Sequence, residues 1–396
     1  MSKLAINGGT PVRPKMLPYG RQWVDENDIE AVVRVLRSDW LTTGPAVSAF
    51  EAAFAETVGA QHAVAVSSGT AALHTAAFAV GIGPGDKVIV PAMTFAASAN
   101  CVRYQGGTVV FVDVRADTLN LDVTKAEAAI TPRTRAVVTV DYAGQASDLD
   151  EIHSLADRHG LVVIEDACHA LGASYRGRKI GALADLTVFS LHPVKHITTG
   201  EGGVVTTDNA ELARGLRLFR NHGIASSPQQ REAAGSWFYE MVELGYNYRL
   251  TDFQCALGQA QLQKLSAWIA RRRQIAARYN EAFSGMPALE IPSVLSDRLP
   301  SWHLYVLRLN LHQLDGVGRS EVFKALRAEN IGVNVHYIPV PWHPYYQKLG
   351  YAKGQWPVAE GNYERILTLP IWPGMDDADV EDVIEAVAKV MHVYSS

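Results

Sequence analysis

The sequence predicts an α/β protein with a mostly parallel sheet covered by helices, followed by a smaller α+β C-terminal domain. Three observations predict it. Short apolar runs alternate with helical stretches along the first half of the chain. Those runs are nearly continuous in Val, Ile, Ala and Leu rather than alternating with polar residues, as strands buried on both faces require. With 396 residues, 48% of them hydrophobic and 19% charged, the chain has material for two or three domains and a large core, which excludes a disordered scaffold.

Ile29, Val32, Val33 and Leu36 fall on one helical face behind the acidic residues Asp25, Glu26 and Asp28, whose charge suits a helix N-terminus. A second helix carries Phe50 and Phe54 and stops near Gly59. Strands are expected at His62–Val66, Lys87–Val90, Thr108–Val114, Ala136–Val140, Leu161–Ile164, Leu186–Ser190 and Gly203–Thr207. Between them, helices are expected at Ala71–Val80, Ala96–Tyr104 and Leu149–Arg158. A helical region runs from Phe253 to Phe283. The segment Met286–Ser301, with Pro287, Pro292 and Pro300, marks the hinge between a large domain (1–285) and a small one (286–396). Beyond it lie a strand at Leu304–Leu309, a helix at Arg319–Glu329, and a final amphipathic helix with Val380, Val383, Ile384 and Val387.

Lys plus Arg number 36 and Asp plus Glu 41, a net charge of −5, which argues against broad nucleic-acid binding. The densest basic run, Arg271-Arg272-Arg273, reads as a solvated helix face. Cys101, Cys168 and Cys255 fit neither a disulfide framework nor a CxxC zinc pattern, so a reducing compartment, the cytoplasm, is expected. No apolar run approaches the ~18 residues of a membrane span, and the N-terminus turns to Gly and Pro before a signal-type apolar region develops.

Four segments depart from core patterning. Ser67-Ser68-Gly69-Thr70-Ala71 sits at a strand-to-helix junction, where small residues let backbone N–H groups approach a phosphate; a simple tight turn explains it equally well. Neither a Walker A sequence nor GxGxxG is present, against an NTPase or a classical dehydrogenase. Glu165-Asp166-Ala167-Cys168-His169 ends an apolar strand in two carboxylates, where open α/β sheets bind ligands; a helix N-cap at Asp166 is the structural alternative. Cys168 and His169 lack a second ligand pair, so no metal is expected. Lys195 lies between an apolar strand and a Gly-rich turn, a setting that lowers an amine toward the neutral form a Schiff base requires, although a surface Lys is the ordinary alternative. Pro193 keeps His192 and His196 from forming a helical metal pair. Finally, Gly245-Tyr246-Asn247-Tyr248-Arg249-Leu250-Thr251-Asp252 precedes a helix, with Thr251 or Asp252 as N-cap. A strand-end acid, a Lys at another strand end and a phosphate cup are together the parts that pyridoxal phosphate (PLP) needs.

The run His192-Pro193-Val194-Lys195 with Thr198-Thr199-Gly200-Glu201-Gly202-Gly203 carries a resemblance. On it, the sequence resembles the DegT/DnrJ/EryC1/StrS family of PLP-dependent nucleotide-sugar aminotransferases, of PLP fold type I (aspartate aminotransferase-like). The likeness extends from Ser38–Pro45 to Leu369–Met375. With Gly245–Asp252 and Val335–Pro339, it is most similar to the subgroup making UDP-4-amino-4,6-dideoxy-N-acetyl-β-L-altrosamine, in the pseudaminic acid pathway.

The resemblance implies that Lys195 holds PLP covalently, that Asp166 pairs with the pyridinium nitrogen and that His169 lies near the phenolic oxygen. Phe95 matches the aromatic stacked on the ring; Thr70, Ala71 and Ser190 match phosphate contacts. Asn247 matches an asparagine reaching that phosphate from the neighbouring subunit, so a homodimer with shared active sites is implied. L-glutamate would convert PLP to pyridoxamine phosphate, and the C4 keto group of a UDP-linked 4-keto-6-deoxy-N-acetylhexosamine would take the amine. Arg249 is a candidate for the glutamate α-carboxylate, and His336 and Tyr337 for the sugar nucleotide. Tyr142 departs from the His-Phe or similar pair of the subgroup, and Ile6–Arg13 is more like the wider family. Perosamine-type, 3-keto-sugar and cyclitol substrates therefore stay open. A non-catalytic regulator on this fold is disfavoured by the lack of a helix-turn-helix extension and of a basic patch.

Overall fold

A computed structural model describes residues 3–226 and 228–395. Seven strands form the main sheet: β1 (His62–Val66), β2 (Lys87–Pro91), β3 (Thr108–Val112), β4 (Thr134–Val140), β5 (Val162–Asp166), β6 (Leu186–Ser190) and β7 (Gly203–Thr207). Their order is β1-β7-β6-β5-β4-β2-β3. Every pairing is parallel except the two made by β7. The sheet is the mostly parallel one that the sequence predicts. Its strands are mostly apolar because helices cover both faces: Val64, Val88, Val138, Ile164 and Val188 meet one helical layer, and Ala63, Ala65, Phe189 and Val204 another.

The first helices form for local reasons. Asp25 caps α1 (Glu26–Leu36) in a reciprocal box with Asp28. Next, α2 (Pro45–Val58) starts on proline and ends at Gly59, whose φ of +82° is the left-handed conformation glycine favours. The N-terminus of α2 is capped from 200 residues away. Asp252 accepts from the amides of Gly44 (2.8 Å) and Ala46 (3.0 Å). Thr251, not Asp252, caps its own helix, in a box with Gln254.

A second sheet of three antiparallel strands, β8 (Leu289–Glu290), β9 (Tyr305–Leu309) and β10 (Ile366–Leu369), builds the C-terminal region in the order β8-β9-β10. Its core joins Leu307 and Leu309 to Val383, Val387 and Val390 of the last helix, Asp377–Tyr394. Ile275, Tyr279 and Phe283 enter the same core, as do Leu4 and Leu17. The core thus draws on residues from both sides of position 286.

The basic run Arg271–Arg273 is not a solvated face. Arg272 is fully buried, and its Nη1 donates to Ile371 O (2.9 Å) and Trp302 O (3.0 Å), with His303 O at 3.4 Å. Arg271 donates to Met375 O and Arg273 to Pro300 O. The guanidinium groups staple the long helix to the segments that cross between the two sheets, because a planar fork can satisfy several bent-back carbonyls at once.

Candidate active site

Strand direction gathers the site. β1, β2, β5 and β6 all end at one edge of the sheet, and β7, running the other way, begins there. Val66, Gly203 and Ser190 consequently lie side by side in register. Helix α3 (Gly69–Ala79) leaves the same edge, and its first amides have no acceptor within the helix. Gly69 is packed so closely on Ser190 that a Cβ would sit 2.8 Å from Ser190 Cβ. A Cβ on Gly203 would lie 2.4 Å from Ser68 O. These two glycines bring Ser190 and the Thr70 turn into one cup. The Ala71 amide is taken by the Ser68 side chain at 3.0 Å, whereas the amides of Gly69 and Thr70, in the first turn, have no acceptor within the helix.

Asp166 is buried at the end of β5, and no helix follows it, so it is not an N-cap. A carboxylate there needs donors. Ser98 Oγ lies 2.6 Å from Asp166 Oδ2, Thr94 Oγ1 lies 2.7 Å from Ser98 Oγ, and the Cys168 amide donates to Oδ1 at 3.2 Å. The relay Thr94–Ser98–Asp166 also fixes the turn that carries Phe95, whose ring is 57% exposed and 5.9 Å from that of Tyr337. Glu165, pointing to the opposite face of β5, is fully buried against Thr187 Oγ1 (2.8 Å) and pairs with buried Asp141. Burial pushes both carboxyls up, Asp141 to about 6.

Lys195 lies in the turn after β6. Burial holds its amine below the ordinary lysine value; Cys168 and Asp166 act in the opposite sense, and Arg272 reinforces the lowering. Four histidines crowd round it. His169 receives Tyr337 Oη at 3.0 Å and packs its ring 4.5 Å from His303. His303 Nε2 is 3.4 Å from Lys195 Nζ, and His196 lies 5.5 Å from His303, ring to ring. Burial drives His169, His196 and His303 well below the usual imidazole value, and His336 down to about 3. Among the described residues, no group of three or more His, Cys, Asp or Glu side chains is arranged to hold a metal.

A family model described as the DegT/DnrJ/EryC1/StrS aminotransferase family matches residues 22–388. The chain belongs to this family. A curated relative, the spore coat polysaccharide biosynthesis protein SpsC of Bacillus subtilis, is 47% identical over 96% of the chain and 98% of its own length. Among solved structures, a putative sugar aminotransferase from Streptococcus pneumoniae in its PMP form matches with a TM-score of 0.90. It is 31% identical, over 96% of this chain and all of that one. Helicobacter pylori PseC, an aminotransferase involved in the biosynthesis of pseudoaminic acid, matches to the same extent, with a TM-score of 0.90 and 31% identity over 96% of this chain and 100% of its own. The fold is aminotransferase fold type I.

The residues fit the family's cofactor. Among the described residues, a buried carboxylate with no basic side chain bonded to it is ready for a pyridinium N–H, the Gly69–Ser190 cup would be filled by a Cβ, and the Nδ1 atoms of His169 and His303 have no protein partner. Of the expected site residues, the fold brings Lys195, Asp166, His169, Phe95, Thr70, Ala71 and Ser190 to one edge. Tyr337 joins them through His169. His336 is buried behind, with Nδ1 2.9 Å from Thr368 Oγ1. Arg249 bonds Asn221 Oδ1 at 2.8 Å beside the Ser67 turn, where Ser67 N donates to Tyr248 O. Asn247 is exposed and bridges Asn221, outside the cluster. Sequence reasoning missed Ser98, Thr94, His303 and Arg272. The one available signal was Thr94-Phe95-Ala96-Ala97-Ser98, which puts two hydroxyls at i, i+4 after a strand end.

Proposed function

We propose that the protein is a PLP-dependent nucleotide-sugar aminotransferase, moving the amino group of L-glutamate to the C4 keto group of a UDP-linked 4-keto-6-deoxy-N-acetylhexosamine. The observation that carries this reading is the convergence of a lowered lysine amine, a buried carboxylate and an amide-lined cup on one sheet edge. When bound, PLP supplies a carbonyl for the amine and an electron sink for the carbanion. Asp166, oriented by Ser98, would hold the proton on the ring nitrogen; Ser190 and the amides of Gly69 and Thr70 would bind the phosphate. Lys195, as a neutral amine, would move the proton at the amino-bearing carbon. Phe95 would cover one face of the ring, and His169, braced by Tyr337, would lie near the phenolic oxygen. Arg249, at the rim by Ser67, would meet the α-carboxylate of glutamate.

An exposed apolar strap supports the proposal of a homodimer. Trp237 is 85% exposed and Leu244 75%, with Phe238, Met241 and Val242 also open, and this apolar strap leads directly into exposed Asn247. A second copy laid on the strap would carry Asn247 toward a neighbouring phosphate cup. A different sugar of the same class is the second reading, favoured by the 47% identity to a spore coat polysaccharide biosynthesis protein.

Incubating the protein with glutamate and a panel of keto-sugar nucleotides, and following 2-oxoglutarate, tests the substrate. The UDP-linked 4-keto sugar should turn over fastest, with ping-pong kinetics. Borohydride should trap the cofactor on Lys195. Full turnover by Lys195→Ala would overturn the role given to that amine.

A further inference from the structure

We infer that His303 is a positioning residue that holds the free ε-amine of Lys195 at the cofactor edge. The inference rests on the reading that Lys195 is the reacting amine. Lys195 Nζ lies 3.4 Å from His303 Nε2, at the outer limit of a hydrogen bond, and His303 is the only hydrogen-bond partner of that amine among the described residues. His303 is only 4% exposed.

The ring has little freedom to do anything else. Its backbone is pinned on both sides: Ser301 N donates to Gly144 O at 3.0 Å, Ser301 Oγ to His169 O at 3.0 Å, and Leu304 N to Ala143 O. Arg272 holds the Trp302 carbonyl from behind, and Trp302 itself takes a positive φ of 53°. The ring is packed between His169 and His196. Burial, Lys195 and Arg272 all oppose a proton on His303, so it stays a neutral imidazole. With its proton on Nδ1, which has no partner, Nε2 presents a lone pair to the amine. Two of the other histidines are otherwise engaged, His169 Nε2 with Tyr337 and His336 Nδ1 with Thr368, and the only hydrogen bond of the lysine amine among the described residues is to His303, not to His196.

A lysine side chain released from a covalent link has about four free torsions and must find its partner again in every cycle. An acceptor at the right distance removes that search. His303 also lies two residues before β9 (Tyr305–Leu309), which enters the C-terminal sheet, so the crossing segment itself sets where the amine rests.

Three full-length proteins decide the matter: wild type, His303→Gln and His303→Asn. A glutamine amide extends to the level of Nε2, whereas an asparagine amide stops at the level of Nδ1. PLP is added to each cofactor-free protein, the mixture is quenched with borohydride at timed intervals, and labelled Lys195 is quantified by peptide mapping. His303→Gln should label within about threefold of wild type. His303→Asn should label roughly tenfold more slowly, the worth of one hydrogen bond, with a circular dichroism spectrum like that of wild type. Equal rates in all three proteins, or a glutamine variant as slow as the asparagine one, would overturn the inference. Should wild type itself fail to label at Lys195, the aminotransferase reading fails instead. The asparagine variant losing its folded spectrum would leave the glutamine variant to decide, since a slow folded His303→Gln contradicts the inference and a fast one supports it.

Discussion

Replacing Arg272 with methionine tests how the charged staple serves both the fold and the amine. The substitution keeps most of the volume of the aliphatic stem and removes the guanidinium, leaving the carbonyls of Trp302 and Ile371 without their donors at 3.0 and 2.9 Å. Hydrogen bonds from a charged donor are each worth about 1.5–3 kcal/mol. Against this, two guanidinium nitrogens, Nε and Nη2, have no partner among the described residues, and relief of their desolvation returns part of the loss. A net destabilisation of about 3 kcal/mol follows. At about 2.1 cal/mol/K per residue, unfolding this chain of 396 residues carries an entropy of about 0.8 kcal/mol/K, so the melting temperature should fall by roughly 4 °C. The second consequence is electrostatic. Arg272 lowers the Lys195 amine, so its removal should move that amine upward. Calorimetry reads the first effect, and the pH dependence of Lys195 labelling by an amine-reactive reagent reads the second, as a shift to more alkaline pH. An unchanged melting temperature together with an unmoved labelling profile would refute the argument.

Gly69→Ala should weaken PLP binding at least tenfold while leaving the circular dichroism spectrum intact, because the added Cβ sits 2.8 Å from Ser190 Cβ; titration calorimetry measures it, and an unaltered Kd would contradict the cup. Acid should destabilise the protein through its buried histidines. Their folded values lie below the ordinary imidazole value of about 6.5, His336 at about 3 and His74 at about 4. Their contribution is complete above pH about 6.5 and is lost as the pH falls toward those folded values. Melting temperature should therefore decline steadily from pH 6.5 to 4.5, and a flat profile over that range would show that these rings take up protons without cost. Mixing inactive Lys195→Ala with Asn247→Ala should restore activity in hybrid dimers through the one site that keeps both intact residues; no gain above the separate variants would place Asn247 outside a shared site.

The strands of the main sheet were legible because burial on both faces leaves an unbroken apolar run, and the order of chemistry along the chain followed from strand ends. Asp166 and Lys195 stood out for the same reason, as charged groups where the patterning demanded apolar ones. What supports them was not legible. Ser98 and His303 lie 68 and 108 positions from the groups they touch, and a serine in a small-residue helix or a histidine before a strand looks ordinary in sequence. Arg271–Arg273 was misread because charge runs on helices usually face water, and nothing local reveals that carbonyls of residues 302 and 371 converge on the helix. Strand β10 and the ribbon of Ser174–Tyr175 with Arg178–Lys179 gave no expectation at all; pieces of two to four residues are too short to show a period.

The placement of cations explains why the amine and the acid can coexist at this edge. A buried lysine beside a buried carboxylate would ordinarily become an ion pair, with the amine protonated and useless as a nucleophile. Here Asp166 is already served by Ser98 Oγ and the Cys168 amide, so it makes less demand on the lysine. From the other direction Arg272, held by backbone carbonyls rather than by an acid and lowered by burial only to about 9, opposes an ammonium at Lys195. The neighbouring histidines stay neutral and offer acceptors without adding negative charge. Neutral donors on the acid and an unpaired cation behind the base thus push the two groups apart in character. The acid is left available for a ring nitrogen while burial and Arg272 hold the amine below the ordinary lysine value.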